Sequence, residues 1–285
     1  MADRLRHAVH VPNLRQYGDP AVLVGLAVDA EAAGWDGFFV WDHILHRRLE
    51  PEPVVDPWLV LAACAVRTQR IRLGTLITPV ARRRPWKLAR EVATLDQLSS
   101  GRAVIGAGLG APRHDEFEAF GEEGDDRRRA ARLDEGLAVL AGLLSGDDFA
   151  HQGEFYALDE MRFLPAPPTG RRVPIWIGGN WPNPRPFRRA AHWDGVVPEK
   201  VGGQLVSPDE LREVVAFVGR QRDEAGRDGP FDVVAAGLTD GPGAEGGALT
   251  QSYADAGATW WLERFHPSRG SVEDARRRIV AGPAR

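Results

Sequence analysis

Asp42 and His43 stand side by side directly after the apolar run Gly37-Phe38-Phe39-Val40-Trp41, which itself follows the helix-stopping Gly34. An imidazole titrates near neutrality and can give or take a proton, and a neighbouring carboxylate or backbone carbonyl can fix its tautomer. The plainer reading of the pair has Asp42 capping a turn and His43 packing beneath a loop. Gly106-Ala107-Gly108-Leu109-Gly110-Ala111 carries the spacing of a dinucleotide-binding turn. However, Pro112 intervenes before any helix, and the next strand pattern starts only at Val173. These glycines either let a flat ring or a phosphate approach the backbone or serve tight packing between strands. Gly178-Gly179-Asn180 joins a strand pattern to a helix start marked by Asn183 and Pro184. Free N–H groups there would cradle a phosphate, with Arg185 or Arg188 adding charge; a tight turn with surface arginines is the alternative.

These residues need elements to hold them, and the chain alternates eight short apolar runs with eight amphipathic stretches. Strand patterns cover residues 5–11, 36–41, 71–77, 103–108, 173–177, 195–198, 231–236 and 259–263. Helical patterns begin near Asp19, Pro57, Arg84, Asp126, Asn183, Ser207, Ala248 and Ser271, several behind start signals such as Asp19-Pro20, Asp56-Pro57 and Ser207-Pro208. Eight strand–helix units in 285 residues predict an α/β fold, a closed (β/α)8 TIM barrel forming a single domain over residues 1–285. Barrel chemistry gathers at the carboxyl ends of the strands. That rim receives Asn13, Asp42, His43, Thr75, Thr78, Gly106, Gly108, Gly110, Gly178, Gly179, Asn180, Glu199 and Glu263 to His266.

Two segments break the repeat. Residues 146–172, rich in aromatics and proline, predict a hairpin and an irregular arm inserted between the fourth and fifth units. Thr239 to Gly247, with four glycines and a proline, predicts a mobile loop, either a substrate lid or a plain connection.

Composition excludes several function classes. With 36 basic against 40 acidic side chains, the net charge of −4 gives no general attraction to nucleic acid. The N-terminus lacks the apolar centre of a secretory leader, and no segment approaches the roughly 18 apolar residues of a membrane span. The chain therefore reads as a soluble, cytoplasmic protein. Its eight histidines show no H-x-x-x-H or His/Cys spacing, so no metal site is expected. The single cysteine, Cys64, reads as a small buried hydrophobe. Arg82-Arg83-Arg84 lies near the rim and could guide an anionic ligand. Rim carboxylates at Asp42, Glu199 and Glu263 keep a glycosidase-like hydrolase open, provided two of them face each other across a pocket. The stretch from Pro57 to Val66 is apolar all round, which predicts that its outer face is covered in a homodimer.

Several motifs recur in one order along the chain: Ala30-Glu31-Ala32-Ala33-Gly34-Trp35-Asp36-Gly37 leading to Asp42-His43, Arg72 to Pro79, Leu95 to Arg102, Gly106 to Gly110, Glu116-Phe117, Phe120-Gly121, and Pro174 to Gly179. As a set they resemble the luciferase-like flavin-dependent monooxygenase superfamily, which includes oxidoreductases using the deazaflavin coenzyme F420. The resemblance implies reduced FMN or coenzyme F420 as cofactor and a small organic molecule as substrate. It places His43 against the ring as proton donor or acceptor, with Asp42 beside it. Thr75 and Leu76 fall at a bulge of the third strand with a non-proline cis peptide behind the ring. Gly106, Gly108 and Gly110 lie beside the cofactor, and Gly178, Gly179 and Asn180 take its phosphate. The insertion matches the family's interruption after the fourth unit, and a homodimer matches its habits. Arg82 to Arg84 could receive the anionic tail of the deazaflavin, and no residue excludes FMN. A non-catalytic flavin carrier is the further alternative.

Overall fold

The computed structural model of the chain describes residues 4–46, 49–168 and 172–285. Residues 1–3 of the N-terminal reading and 169–171 of the expected arm lie outside the described residues. In chain order the elements are β1 (Arg6–Val11), α1 (Pro20–Ala32), β2 (Gly37–Val40), α2 (Pro57–Arg67), β3 (Arg72–Pro79), α3 (Pro85–Leu98) and β4 (Ala103–Gly108). Next come the short α4 (Arg113–Glu116), α5 (Asp126–Leu144), β5 (Asp148–Gln152), β6 (Ala157–Arg162), β7 (Ile175–Asn180) and α6 (Pro184–Ala190). The chain ends with β8 (Gly195–Glu199), α7 (Pro208–Glu224), β9 (Asp232–Gly237), α8 (Ala244–Asp255), β10 (Trp260–Arg264) and α9 (Val272–Val280). Eight parallel strands close in the order β1-β2-β3-β4-β7-β8-β9-β10, and β10 pairs back onto β1 with Arg6 opposite Trp260. This is the expected (β/α)8 barrel.

The start signals act as expected. Asp19 accepts the Ala21 N–H at 2.8 Å and Asp56 the Leu59 N–H at 3.0 Å, each ahead of a proline at the first helical position. Ser207 with Glu210, and Ser271 with Asp274, form reciprocal capping boxes. Alternation along the strands divides the core into two shells. Ala8, Phe39, Leu76, Val104, Trp176, Val197, Val234, Ala236, Trp260 and Leu262 fill the barrel, while Val9, Val11 and their counterparts face the helices. Phe39, Trp176 and Trp260 pack ring against ring at 5.3–6.0 Å inside the barrel. That aromatic plug fills the interior with side chains.

The insertion is a two-stranded antiparallel hairpin, β5–β6, outside the barrel. Glu135 of α5 grips it by accepting the N–H groups of Phe155 and Tyr156. Two expectations change. β7 runs on through Asn180, paired to Glu199, so Gly178, Gly179 and Asn180 end a strand and do not form a loop. The segment expected to be a mobile loop turns helical at Ala244, and Thr239 is buried and bonded to Glu263 through both its N–H and its hydroxyl. Glycines are poor helix formers, but α8 is held by packing of Thr250 and Tyr253.

On α2, Leu59 and Val66 are exposed and Ala62 and Ala63 half-buried, at the i, i+3, i+4, i+7 spacing of one helix face. Cys64 on the opposite side is buried, and its thiol is pushed up to about 12 by burial. Among the described residues no helix is long and apolar enough to cross a membrane, and no group of three or more His, Cys, Asp or Glu could hold a metal.

Candidate active site

β2 delivers the chain to the barrel mouth at Val40, and Asp42 then turns its carboxylate behind β3. Its Oδ2 accepts the Thr78 hydroxyl at 2.7 Å and the Trp58 indole N–H at 3.3 Å. Arg82 and Arg83 donate to Oδ1 at 2.9 and 2.8 Å, and Arg83 also reaches Oδ2 at 2.9 Å. Thr78 is in turn 2.7 Å from the Thr75 hydroxyl. With its acceptor positions filled and its side chain buried, Asp42 anchors β3 and the arginines that follow it.

His43 points the other way. Its backbone is held by Asn13, whose amide donates to the His43 carbonyl at 2.9 Å and to the Val55 carbonyl at 2.7 Å. Its Nδ1 lies 2.8 Å from Oε1 of Glu116, a wholly buried carboxylate on α4 that also accepts the Ile44 N–H at 3.3 Å. The second oxygen of Glu116 pairs with Arg82. Burial pushes the His43 imidazole down to about 4, the Arg82 guanidinium adds to the fall, and the Asp42 carboxylate opposes it. The ring is therefore neutral at pH 7. A carboxylate only accepts, so Nδ1 carries the proton and Nε2 keeps a lone pair, with no partner among the described residues. The ring sits edge-on against Trp41 at 5.6 Å.

The opposite wall is the bulge of β3. Pairing with β4 shifts between Thr75 and Thr78, which takes Leu76 and Ile77 out of register, and the Leu76–Ile77 peptide is cis. The resemblance put this feature at Thr75 and Leu76, one residue earlier. The glycines of β4 and β7 make room for it. A Cβ at Gly106 would lie 2.3 Å from the Thr75 carbonyl oxygen, one at Gly108 2.7 Å from Ile77 Cγ2, and one at Gly178 2.8 Å from Ile77 Cδ1. Gly110 turns at φ +83° against Pro79, and Gly179 admits Pro186 of α6, where a Cβ would come within 2.3 Å. Asn180 is exposed at the end of β7.

Three expectations are corrected by this geometry. The start of α6 has no cradle of free N–H groups, because Pro184 and Pro186 have none and the Arg185 N–H is taken by Asn183 at 3.3 Å. Arg82 and Arg83 are engaged with Asp42, Glu116 and Glu91, which leaves Arg84 alone of the three exposed for an anionic tail. The hydrolase reading also loses its carboxylates. Asp42 is filled, Glu199 pairs with Arg264 at 3.3 Å, and buried Glu263 accepts from Thr239, Trp261, Arg269 and Arg278.

Residues 6–239 match the model of the family described as Luciferase-like monooxygenase. The chain belongs to that family. An uncharacterised protein of Mycobacterium tuberculosis is 30% identical over 226 residues, 74% of each chain. The F420-dependent glucose-6-phosphate dehydrogenase of Nakamurella multipartita is 36% identical over 170 residues, 59% of this chain and 48% of that protein, so this chain matches about half of it. Among solved structures, an F420-dependent secondary alcohol dehydrogenase in complex with an F420–acetone adduct aligns at a TM-score of 0.78 over 99% of both chains, at 18% identity. The oxygenating constituent of 3,6-diketocamphane monooxygenase from Pseudomonas putida, in complex with FMN, aligns at 0.66 over 97% of this chain and 84% of that one, at 18% identity.

In this luciferase-like barrel the sequence reading missed Glu116, which it quoted within a motif without a role, and the pairing of Arg82 with two carboxylates. A lone acid on a four-residue helix gives no local signal. Only the fold shows that α4 lies over the segment leaving β2. A cavity of about 350 Å³ between the starts of α2 and α3 has Asp42, His43, Arg82 and Arg83 on one wall and Pro57 and Leu88 on another, and it does not reach the glycines of β4 or β7.

Proposed function

We propose that this luciferase-like protein is an oxidoreductase that holds coenzyme F420 at the barrel mouth and oxidises a hydroxyl-bearing small molecule, with His43 as proton acceptor. The observation that carries this is the 2.8 Å contact of His43 Nδ1 with Glu116, which leaves a neutral Nε2 with an available lone pair. Support for the cofactor comes from F420-dependent relatives at 31–36% identity over 59–70% of the chain. The residues present fit a flat ring: Gly106, Gly108 and Gly178 let the Leu76–Ile77 bulge pack close against β4 and β7, which makes it an apolar platform at the mouth. Coenzyme F420, when bound, supplies the acceptor for the hydride released as a hydroxyl-bearing carbon becomes a carbonyl.

The chain's own residues do the rest. Nε2 of His43 takes the hydroxyl proton, and Glu116 stabilises the imidazolium that results. Arg82 pairs with Glu116 and holds it in place, and Asp42 positions Arg82. Trp41 orients the imidazole and shields it from water on one side. Gly110, Gly179 and Asn180 border the cofactor where the chain leaves β4 and β7. The protein works as a homodimer through the exposed face of α2.

The test is anaerobic titration with F420 and FMN side by side, followed by turnover of an alcohol panel. The expected result is F420 binding at least tenfold tighter than FMN, with F420 reduction by at least one alcohol. Oxygen-consuming turnover with reduced FMN, and none with F420, would replace this reading with a monooxygenase.

A further inference from the structure

We propose that His10 is a positioning residue for the cofactor platform: its imidazole fixes the Leu76 carbonyl and so sets where the β3 bulge lies. This rests on the reading above, that the mouth holds a flat redox ring against that bulge. Along β1, Ala8 points into the barrel and Val9 and Val11 point out, so His10 is the last inward residue, at the level where the mouth begins. Its side chain is buried, and its Nε2 lies 2.9 Å from the Leu76 carbonyl oxygen.

That carbonyl lies where the regular pairing of β3 lapses. Pairing of β2 with β3 ends at Val40 opposite Thr75, and pairing of β3 with β4 resumes only at Thr78 opposite Ala107. An unpaired buried carbonyl costs about 1–3 kcal/mol, and His10 supplies an N–H to this one. A carbonyl only accepts, so the proton sits on Nε2 and the buried Nδ1 holds a lone pair, with no partner among the described residues. Burial keeps the ring neutral, pushing it down to about 3, so the donor is present throughout the physiological range. On the far side the bulge meets glycines 106, 108 and 178, which contribute no side-chain donors. His10 is therefore the polar tether of the platform, and Trp41 flanks its ring at 6.1 Å.

Two variants separate a donor from a filler: His10→Leu removes the N–H, and His10→Gln keeps one at similar reach. The expected result for H10L is an F420 dissociation constant raised at least tenfold, with the substrate KM at saturating cofactor within threefold of wild type. H10Q is expected to restore F420 binding to within threefold. Wild-type affinity in H10L, or H10Q as impaired as H10L, overturns the proposal. A measurement on the wild-type protein needs no variant to fold: imidazole nitrogen shifts in NMR should show His10 protonated on Nε2 and not titrating between pH 5 and 8. The other tautomer overturns the tether. If the wild type binds neither F420 nor FMN, the cofactor reading fails. The tether is then judged by amide exchange at Ile77 and Thr78, expected at least tenfold faster in H10L and unchanged in H10Q; equal exchange in both variants overturns it.

Discussion

Glu116 and His43 reach each other from different units of the barrel, α4 and the segment after β2, and their side chains meet at 2.8 Å while the far carboxylate oxygen pairs with Arg82. The carboxylate thus has a cation on one side and an imidazole on the other. That makes Glu116 the residue whose charge decides which nitrogen of His43 is free.

Glu116→Gln tests this without emptying the space. An amide can present either its oxygen or its NH2 to Nδ1, so the tautomer is no longer fixed, and Arg82 keeps only Asp42. Turnover should fall about 10- to 100-fold, the range seen when partners that orient functional imidazoles are lost, with F420 affinity within threefold of wild type. An unchanged rate would detach Glu116 from the mechanism.

His43→Ala removes the proton acceptor itself. General-base groups contribute about 10²- to 10⁴-fold, so kcat should drop by that order while the cofactor still binds. Equilibrium titration beside steady-state kinetics separates the two effects. Near-normal turnover would assign the proton to another group.

Stability should depend on pH through the buried imidazoles. In the folded protein His43 and His7 lie at about 4 and His10 at about 3, each below an ordinary value of 6.5 and each lowered first by burial. Between 6.5 and those values the unfolded chain binds protons that the folded chain does not. Folding stability is therefore fully present above pH 6.5 and declines as the pH falls towards 4, by about 1.4 kcal/mol per pH unit for each fully shifted group. Denaturant melts at pH 7.5, 6 and 5 should show a falling midpoint, and a flat profile would contradict the burial of these rings.

Gly106→Ala places a methyl group 2.3 Å from the Thr75 carbonyl oxygen and 2.4 Å from Leu76 Cδ2. Overpacking of this kind costs about 1–3 kcal/mol, and here the atoms that must yield belong to the bulge. Weaker F420 binding and a lower Tm are expected together. Gly219, where a Cβ meets nothing within 4 Å, is the control expected to tolerate alanine.

Leu59→Glu and Val66→Glu put charge on the exposed stripe of α2. Light scattering at micromolar concentration should give a dimer for the wild type and a monomer for the double variant. A monomeric wild type would refute the homodimer.

The barrel was legible because its signals are local and repeated. Asp19-Pro20, Asp56-Pro57, Asn183-Pro184 and Ser207-Pro208 each mark a helix start, and the apolar runs at 103–108 and 259–263 read directly as buried strands. Legibility failed where distant units meet. Nothing in Arg82-Arg83-Arg84 indicates that two of the three face buried carboxylates, since that depends on where Asp42 and Glu116 arrive in space. The same holds for His10, an unremarkable residue in a strand until the β3 bulge leaves a carbonyl within its reach. Glycines at 106, 108 and 178 were legible as places of close approach, but the approaching group in the structure is Ile77 or Leu76 of this chain. Pro184 and Pro186 were in plain sight, and their missing N–H groups alone argue against a phosphate cradle at that helix.

The pairing of Arg6 with Trp260 gives the barrel a history as well as a shape. Within this chain β1 is made before the other strands, and the neighbour that completes it is synthesised only after β9. Until then that edge of β1 has unpaired backbone, the condition in which one chain can add to another. Nascent copies of this protein must cross that interval before the ring can shut, and the residues from Trp260 to Arg264 end it.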